Sequence, residues 1–232
     1  MDFLRCSLAE WPFLRTRLLR TRLGLWLLLL ATALVLLERH APAPDPLATA
    51  LQAGALAAVL AVAYVAGSSG DRAALGLVLR HPTTPRAVTC GRWLVATGGA
   101  ALVVFACAVH SAWTTGAVAA SLGAALAGLV TAAAIAACTL ALVWTGGNVL
   151  AAVFFLHLAL LGSVPPEGLI GLARAGPVRI AVATVLELAP GQWRYRGIAT
   201  GSLGATLHAA AWVAIGLAIA GWRAGRLGKR SP

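Results

Sequence analysis

Six apolar runs, at 23–37, 47–66, 93–109, 118–143, 149–161 and 203–222, stand out between polar and basic interruptions. A helix crossing about 30 Å of hydrocarbon takes roughly 20 residues, and it satisfies its own backbone polar groups where no water is present. The pattern predicts an all-α integral membrane protein, a six-helix transmembrane bundle forming one domain over 1–232. The first run is short, so Arg20, Arg22 and Arg39 are expected to reach from its ends toward water.

Two stretches depart from this simple crossing pattern. In the first, 1–22, Leu4, Leu8, Trp11, Leu14 and Leu18 recur at spacings of three and four, with Arg5, Arg15 and Arg17 off that stripe. This is the pattern of a helix lying in the membrane interface; the plainer alternative, given Pro12, is an irregular basic flank. Asp2 and Glu10 interrupt it and no small-residue cleavage site follows, so it does not read as a cleavable signal peptide. In the second, 163–202, four prolines and several charges separate apolar pieces at 168–173 and 178–188. Neither piece is long enough to cross, so the segment is expected to form short re-entrant helices between spans five and six.

Composition strengthens the membrane reading. Sixty per cent of the 232 residues are hydrophobic and only 11% are charged, more apolar surface than one soluble core of this length buries and the opposite of a disordered chain. The formal net charge of +11 would suit nucleic acid if it formed one surface. Instead Arg5, Arg15, Arg17, Arg20 and Arg22 precede the first run, Arg72, Arg80, Arg86 and Arg92 share one loop, and Arg223, Arg226, Lys229 and Arg230 follow the last run. Of the 18 basic residues, only Arg39, Arg174, Arg179, Arg194 and Arg196 fall on the other side of a six-span layout. The positive-inside rule then puts both termini and the loop at 67–92 in the cytoplasm, with anionic headgroups rather than nucleic acid as the counter-charge. Trp93, Trp144 and Trp222 fall at inner ends and Trp113 and Trp193 at the outer boundary. The small-x-x-x-small pairs Gly116/Ala120, Ala124/Gly128, Gly216/Ala220 and Gly221/Gly225 allow close helix packing.

Candidate chemistry is sparse. Cys6, Cys90, Cys107 and Cys138 show no ligand spacing, so free thiols are expected, with neither a metal site nor a disulfide framework. His110, His157 and His208 fall toward the outer leaflet, where imidazole can ligate a cofactor or carry protons. The alternative is that each bonds a carbonyl or sits in wet interface. An intramembrane enzyme would need a nucleophile with a base, or paired acids. Ser68 and Ser69 lie on the side opposite the histidines, and Glu187 has no neighbouring carboxylate, so no catalytic residue is expected.

The loop at 67–92 is the most informative segment. Asp71 suits a helix N-cap, Leu75, Val78 and Leu79 then share one face, and Pro82 and Pro85 end the helix before the third span. Such an element docks a partner, or it is a solvated connector that only obeys the charge rule. In Asp71, Arg72, Gly76, Leu77, Pro82 and Arg86, and in the order of interfacial helix, spans and proline-broken outer segment, the chain resembles the membrane subunit of ABC type-2 exporters. The resemblance implies a permease subunit of a bacterial inner-membrane transporter. Its coupling helix over 71–79, with Asp71, Arg72, Leu75, Gly76, Val78, Leu79, Arg80 and Pro82 at the contact, would seat in a separate ATPase subunit. ATP and Mg²⁺ would bind that partner, since no Walker A motif occurs here and the chain itself is expected to bind no cofactor. The resemblance also implies a second permease copy or a related permease. The loop exit (Pro82, Pro85, Val88 and Arg92) is similar to that of haem-exporter permeases of cytochrome c maturation, which gives His157 and His208 an alternative role. A structural subunit of a membrane complex is a third reading.

Overall fold

The computed structural model describes residues 22–41, 45–66, 84–164 and 187–228, together with Ile180 and Thr184. Helix α1 spans Leu23–His40, α2 Pro46–Ala66, α3 Pro85–Thr115, α4 Val118–Gly146 and α5 Asn148–Leu160. A short helix α6 (Gln192–Tyr195) runs into a 3-10 turn (Arg196–Thr200), and α7 spans Leu203–Gly228. No strand occurs among the described residues.

Five of these helices, α1 to α4 and α7, are long and apolar enough to cross a membrane, so the chain is an all-α, multi-pass membrane protein. The helix in the place of the fifth expected span is not of that length. α5 has 13 residues, about 20 Å of helix against about 30 Å of hydrocarbon. The apolar run at 149–161 is unbroken, but Gly162 follows it and other elements take up the carbonyls at its end. Gln52 Nε2 of α2 donates to the Ala159 carbonyl (3.5 Å), and Gln192 Nε2 of α6 donates to that of Leu158 (3.3 Å). Carbonyls left over at a helix end need such partners, and both come from side chains.

Helices α2 and α4 form the centre. Both are Ala-rich and apolar all round, the composition of a helix enclosed by others. A Cβ placed on Gly54 would collide with the Gly128 carbonyl, so the two backbones touch where side chains are missing. Gly216 brings α7 onto α4 in the same way, with the Ala137 carbonyl 2.7 Å from where its Cβ would stand. Several polar groups inside this centre bond to backbone carbonyls. The hydroxyls of Thr131 and Thr139 donate to the carbonyls of Ala127 and Ile135, and the Trp93 indole donates to that of Ala133. Exposed aliphatics on α1, α3, α5 and α7, such as Leu28, Leu37, Leu102, Leu156 and Leu207, form a surface suited to lipid.

Successive helices run in opposite directions, which gives the bundle a basic end and an opposite end. At the basic end the Arg92 guanidinium lies 5.7 Å over the Trp144 ring, and Arg223 Nε donates to the Trp144 carbonyl (3.2 Å), a cation at the C-terminus of α4. At the opposite end Arg196 pairs with Asp45, just ahead of α2.

Several expected boundaries are corrected. α3 begins at Pro85 rather than Trp93, because Pro85 opens the helix instead of closing the loop; Arg86 and Arg92 are therefore helical. α1 continues to His40 and takes Glu38 out of its expected loop. Trp144 is buried (2% exposed) rather than an interfacial anchor. Gly116 does not pack; it caps α3 at φ +69° with open space about it.

Candidate functional site

At the basic end, Asp71, Arg72, Leu75, Gly76, Val78, Leu79, Arg80 and Pro82 lie outside the described residues, as does 1–21. The described frame is the pair of helix ends that carry the loop. α2 stops at Ala66, and the Thr84 hydroxyl accepts the Ala87 N–H (3.2 Å) to start α3, with Pro85 in the first turn. Beside this start, Pro85, Arg86, Thr89, Leu217 and Trp222 line a groove of about 890 Å³ between α3 and the end of α7. Arg226 stacks on the Trp222 ring at 4.2 Å.

The three histidines go to three different surroundings. His110, at the far end of α3, lies within electrostatic reach of Glu38. His157 stacks on Phe154 within α5 (centroids 6.4 Å apart). His208 of α7 meets Tyr195 of α6 at 5.8 Å, while its Nε2 lies 3.2 Å from the Leu188 carbonyl and 3.3 Å from the Trp212 indole nitrogen. Among the described residues no three His, Cys, Asp or Glu side chains converge on a point that would hold a metal.

Around His208 the structure assembles the densest polar group of the opposite end. The Trp212 indole donates to the Leu188 carbonyl at 2.8 Å, and the backbone N–H of Trp193 donates to the Gly162 carbonyl at 3.2 Å. Trp212 lies about 13 Å along α7 from its first residue, so the chain near Leu188 reaches well down the side of that helix. Arg194 lies over the Trp193 ring (5.0 Å) and 4.0 Å from the Glu187 carboxylate. Tyr195 is fully buried, and burial raises the pKa of its phenol above the usual value, so the O–H stays protonated. Beneath this group is a cavity of about 480 Å³ between α4, α5 and α7, lined by Cys138, Leu142, Phe154, Pro190, Trp212 and Ile215.

Sequence reasoning found His208 here but missed its neighbours. Tyr195 and Gln192 lie outside the two apolar pieces of the segment expected to form short re-entrant helices, and nothing in their spacing shows that α6 turns them inward. Glu38 was missed for a simpler reason. It follows an unbroken leucine run directly, and a carboxylate there reads as a loop residue, yet it is 8% exposed, with one carboxylate oxygen lacking a hydrogen bond among the described residues. Compared with known proteins, the chain matches no family model, no curated relative and no solved structure.

Proposed function

We propose that this chain is the membrane-spanning permease subunit of an ABC-type exporter, working with a cytoplasmic ATPase subunit and a second permease. The observation that carries the reading is the pairing of a shortened α5 with a chain that returns beside it. Gln192 reaches the Leu158 carbonyl, Trp193 the Gly162 carbonyl and Trp212 the Leu188 carbonyl. In this reading α5 is a sixth, incomplete crossing, and the proline-containing segment after it re-enters the outer half of the bundle. The exporter layout has its broken outer segment at this position.

The basic end supports the same assignment. The cation-bearing start of α3 and end of α7 meet at the C-terminus of α4, and the positive-inside rule makes that end cytoplasmic. The loop joining α2 to α3 then faces the ATPase, and hydrolysis biases the bundle between two packings through contacts made differently in each. A pathway for a hydrophobic or amphipathic substrate would be shared with the second permease.

The haem-export alternative draws less support, because His157 and His208 sit in separate surroundings, one stacked on Phe154 of α5 and the other against Tyr195 of α6. Co-purification with an ATPase subunit tests the main reading. Association should be lost when Leu75 and Leu79 are both replaced by Asp, with the folded permease retained. An unchanged association after those substitutions would refute the coupling assignment.

A further inference from the structure

The cavity between α4, α5 and α7 is not part of the site assigned to coupling with an ATPase. Its volume of about 480 Å³ lies within the roughly 300–1,000 Å³ of small-molecule sites. Its walls are almost entirely carbon, and Ile215 and Ile219 at its edge are half-exposed on the lipid-facing flank of α7.

One wall is shared with the polar group above it. Trp212 lines the cavity and touches His208; Cys138 lines it and lies within electrostatic reach of Tyr195. Three buried atoms in this group have no hydrogen-bond partner among the described residues: Arg194 Nε, Tyr195 Oη and His208 Nδ1. Buried polar atoms are rarely left so, because each forfeits its bonds to water without replacement. Two are donors outright, and Tyr195 is fully buried. His208 Nδ1 can meet an acid with a neutral ring: it accepts from a protonated acid, or donates in the tautomer whose Nε2 accepts from the Trp212 indole. The closest carboxylate, Glu187, stands at 4.0 Å from Arg194 and is largely exposed.

We infer that the cavity and this polar group form one site for a single-chain anionic amphiphile, with its alkyl chain among Leu142, Phe154, Trp212 and Ile215 and its acid group on Arg194, Tyr195 and His208. A cationic head would face the Arg194 guanidinium, and a neutral alcohol would leave most of the donors unmet. As a statement of what is exported, the inference rests on the transport reading; as a binding site it does not.

Photolabelling of the purified full chain in detergent, with a diazirine-bearing hexadecanoate, tests it. The adducts should map to Leu142, Trp212 and Ile215. Excess hexadecanoate should suppress them, while hexadecanol and hexadecyltrimethylammonium should not. Arg194→Gln should weaken competition by the acid about tenfold, the loss of a charged hydrogen bond, whereas Arg194→Lys should retain most of it. Ile215→Trp, which fills the cavity, should abolish labelling in protein that still elutes as folded. Labelling spread equally over exposed aliphatics such as Leu102 and Leu207, equal competition by the alcohol, or an indifferent Arg194→Gln variant would each overturn the proposal. None of these outcomes bears on ATPase association, which is read from Leu75 and Leu79, so the two readings fail separately.

Discussion

Gly54 of α2 and Gly128 of α4 touch backbone to backbone; a Cβ on Gly128 would stand 2.6 Å from the Ala50 carbonyl oxygen and 2.9 Å from a Val104 methyl. Neither carbonyl can rotate away without breaking its helix, so Gly128→Ala must push α2 and α4 apart. Overpacking of this kind costs about 1–3 kcal/mol, and Gly54→Ala should cost a similar amount. Gly98→Ala and Gly204→Ala are the controls, since nothing lies within 4 Å of either added methyl. They should be neutral or stabilising by up to about 1 kcal/mol through helix propensity. Thermal midpoints read by fluorescence-detected gel filtration in detergent separate the two classes.

Much of this architecture is legible in the chain. The runs that become α2, α4 and α7 begin where their helices begin, within a residue. What a run does not carry is rotation about its own axis. Four small-x-x-x-small pairs look alike in sequence, yet Gly128 and Gly216 are pressed against backbone while Gly116 ends a helix in open space. Helix ends are the second blind spot. α5 stops and α1 continues for reasons lying in other elements: glutamine side chains that take the last carbonyls of α5, and packing that encloses Glu38. The cavity and its polar group combine α4, α5, α6 and α7, and no local pattern announces such a meeting.

Two adjacent glycines in the α4–α5 connection should respond differently to alanine. Gly147 joins the helices at φ +77° and ψ −169°, a conformation open in practice only to glycine. Gly147→Ala should destabilise by about 1–3 kcal/mol. At Gly146 the added methyl would meet the Leu150 side chain, which can swing aside. Gly146→Ala should therefore cost clearly less, and paired thermal midpoints decide the order.

Asp45 ties the start of α2 to the 3-10 turn, accepting from the Ala48 N–H (3.0 Å) and from Arg196. Burial raises the pKa of its carboxyl, but the hydrogen bonds from Arg196 and the backbone outweigh it, and the net shift is downward. A carboxyl whose folded pKa is depressed contributes stability that is present above its unfolded value, about 3.9, and lost as pH falls below it. Both partners are near half-exposed, so the ion pair is worth at most about 1 kcal/mol. Asp45→Asn should lower the thermal midpoint slightly at neutral pH and remove this acid-side loss. Asp45→Ala should cost about 1 kcal/mol more, because it also removes the helix cap. Midpoints measured from about pH 7 to about pH 3 check both statements.

The hydrogen bond from Trp212 to the Leu188 carbonyl holds the outer segment against α7, and it should be separable from the packing of the same ring. Trp212→Phe keeps an aromatic surface but leaves that carbonyl with only His208 Nε2 at 3.2 Å. The expected cost is about 1 kcal/mol, felt locally rather than across the bundle, because the Phe ring keeps most of the packing of Trp212 against the cluster of Leu51, Ala127 and Ala134. His208→Ala alone should cost less, since the shorter indole bond remains. The double variant should exceed the sum of the two, because only then does the Leu188 carbonyl lose both donors. Hydrogen exchange over 187–202, compared with exchange in α4, is the measurement. Equal acceleration in both regions would mean that Trp212 supports the whole bundle instead of tying down its outer segment.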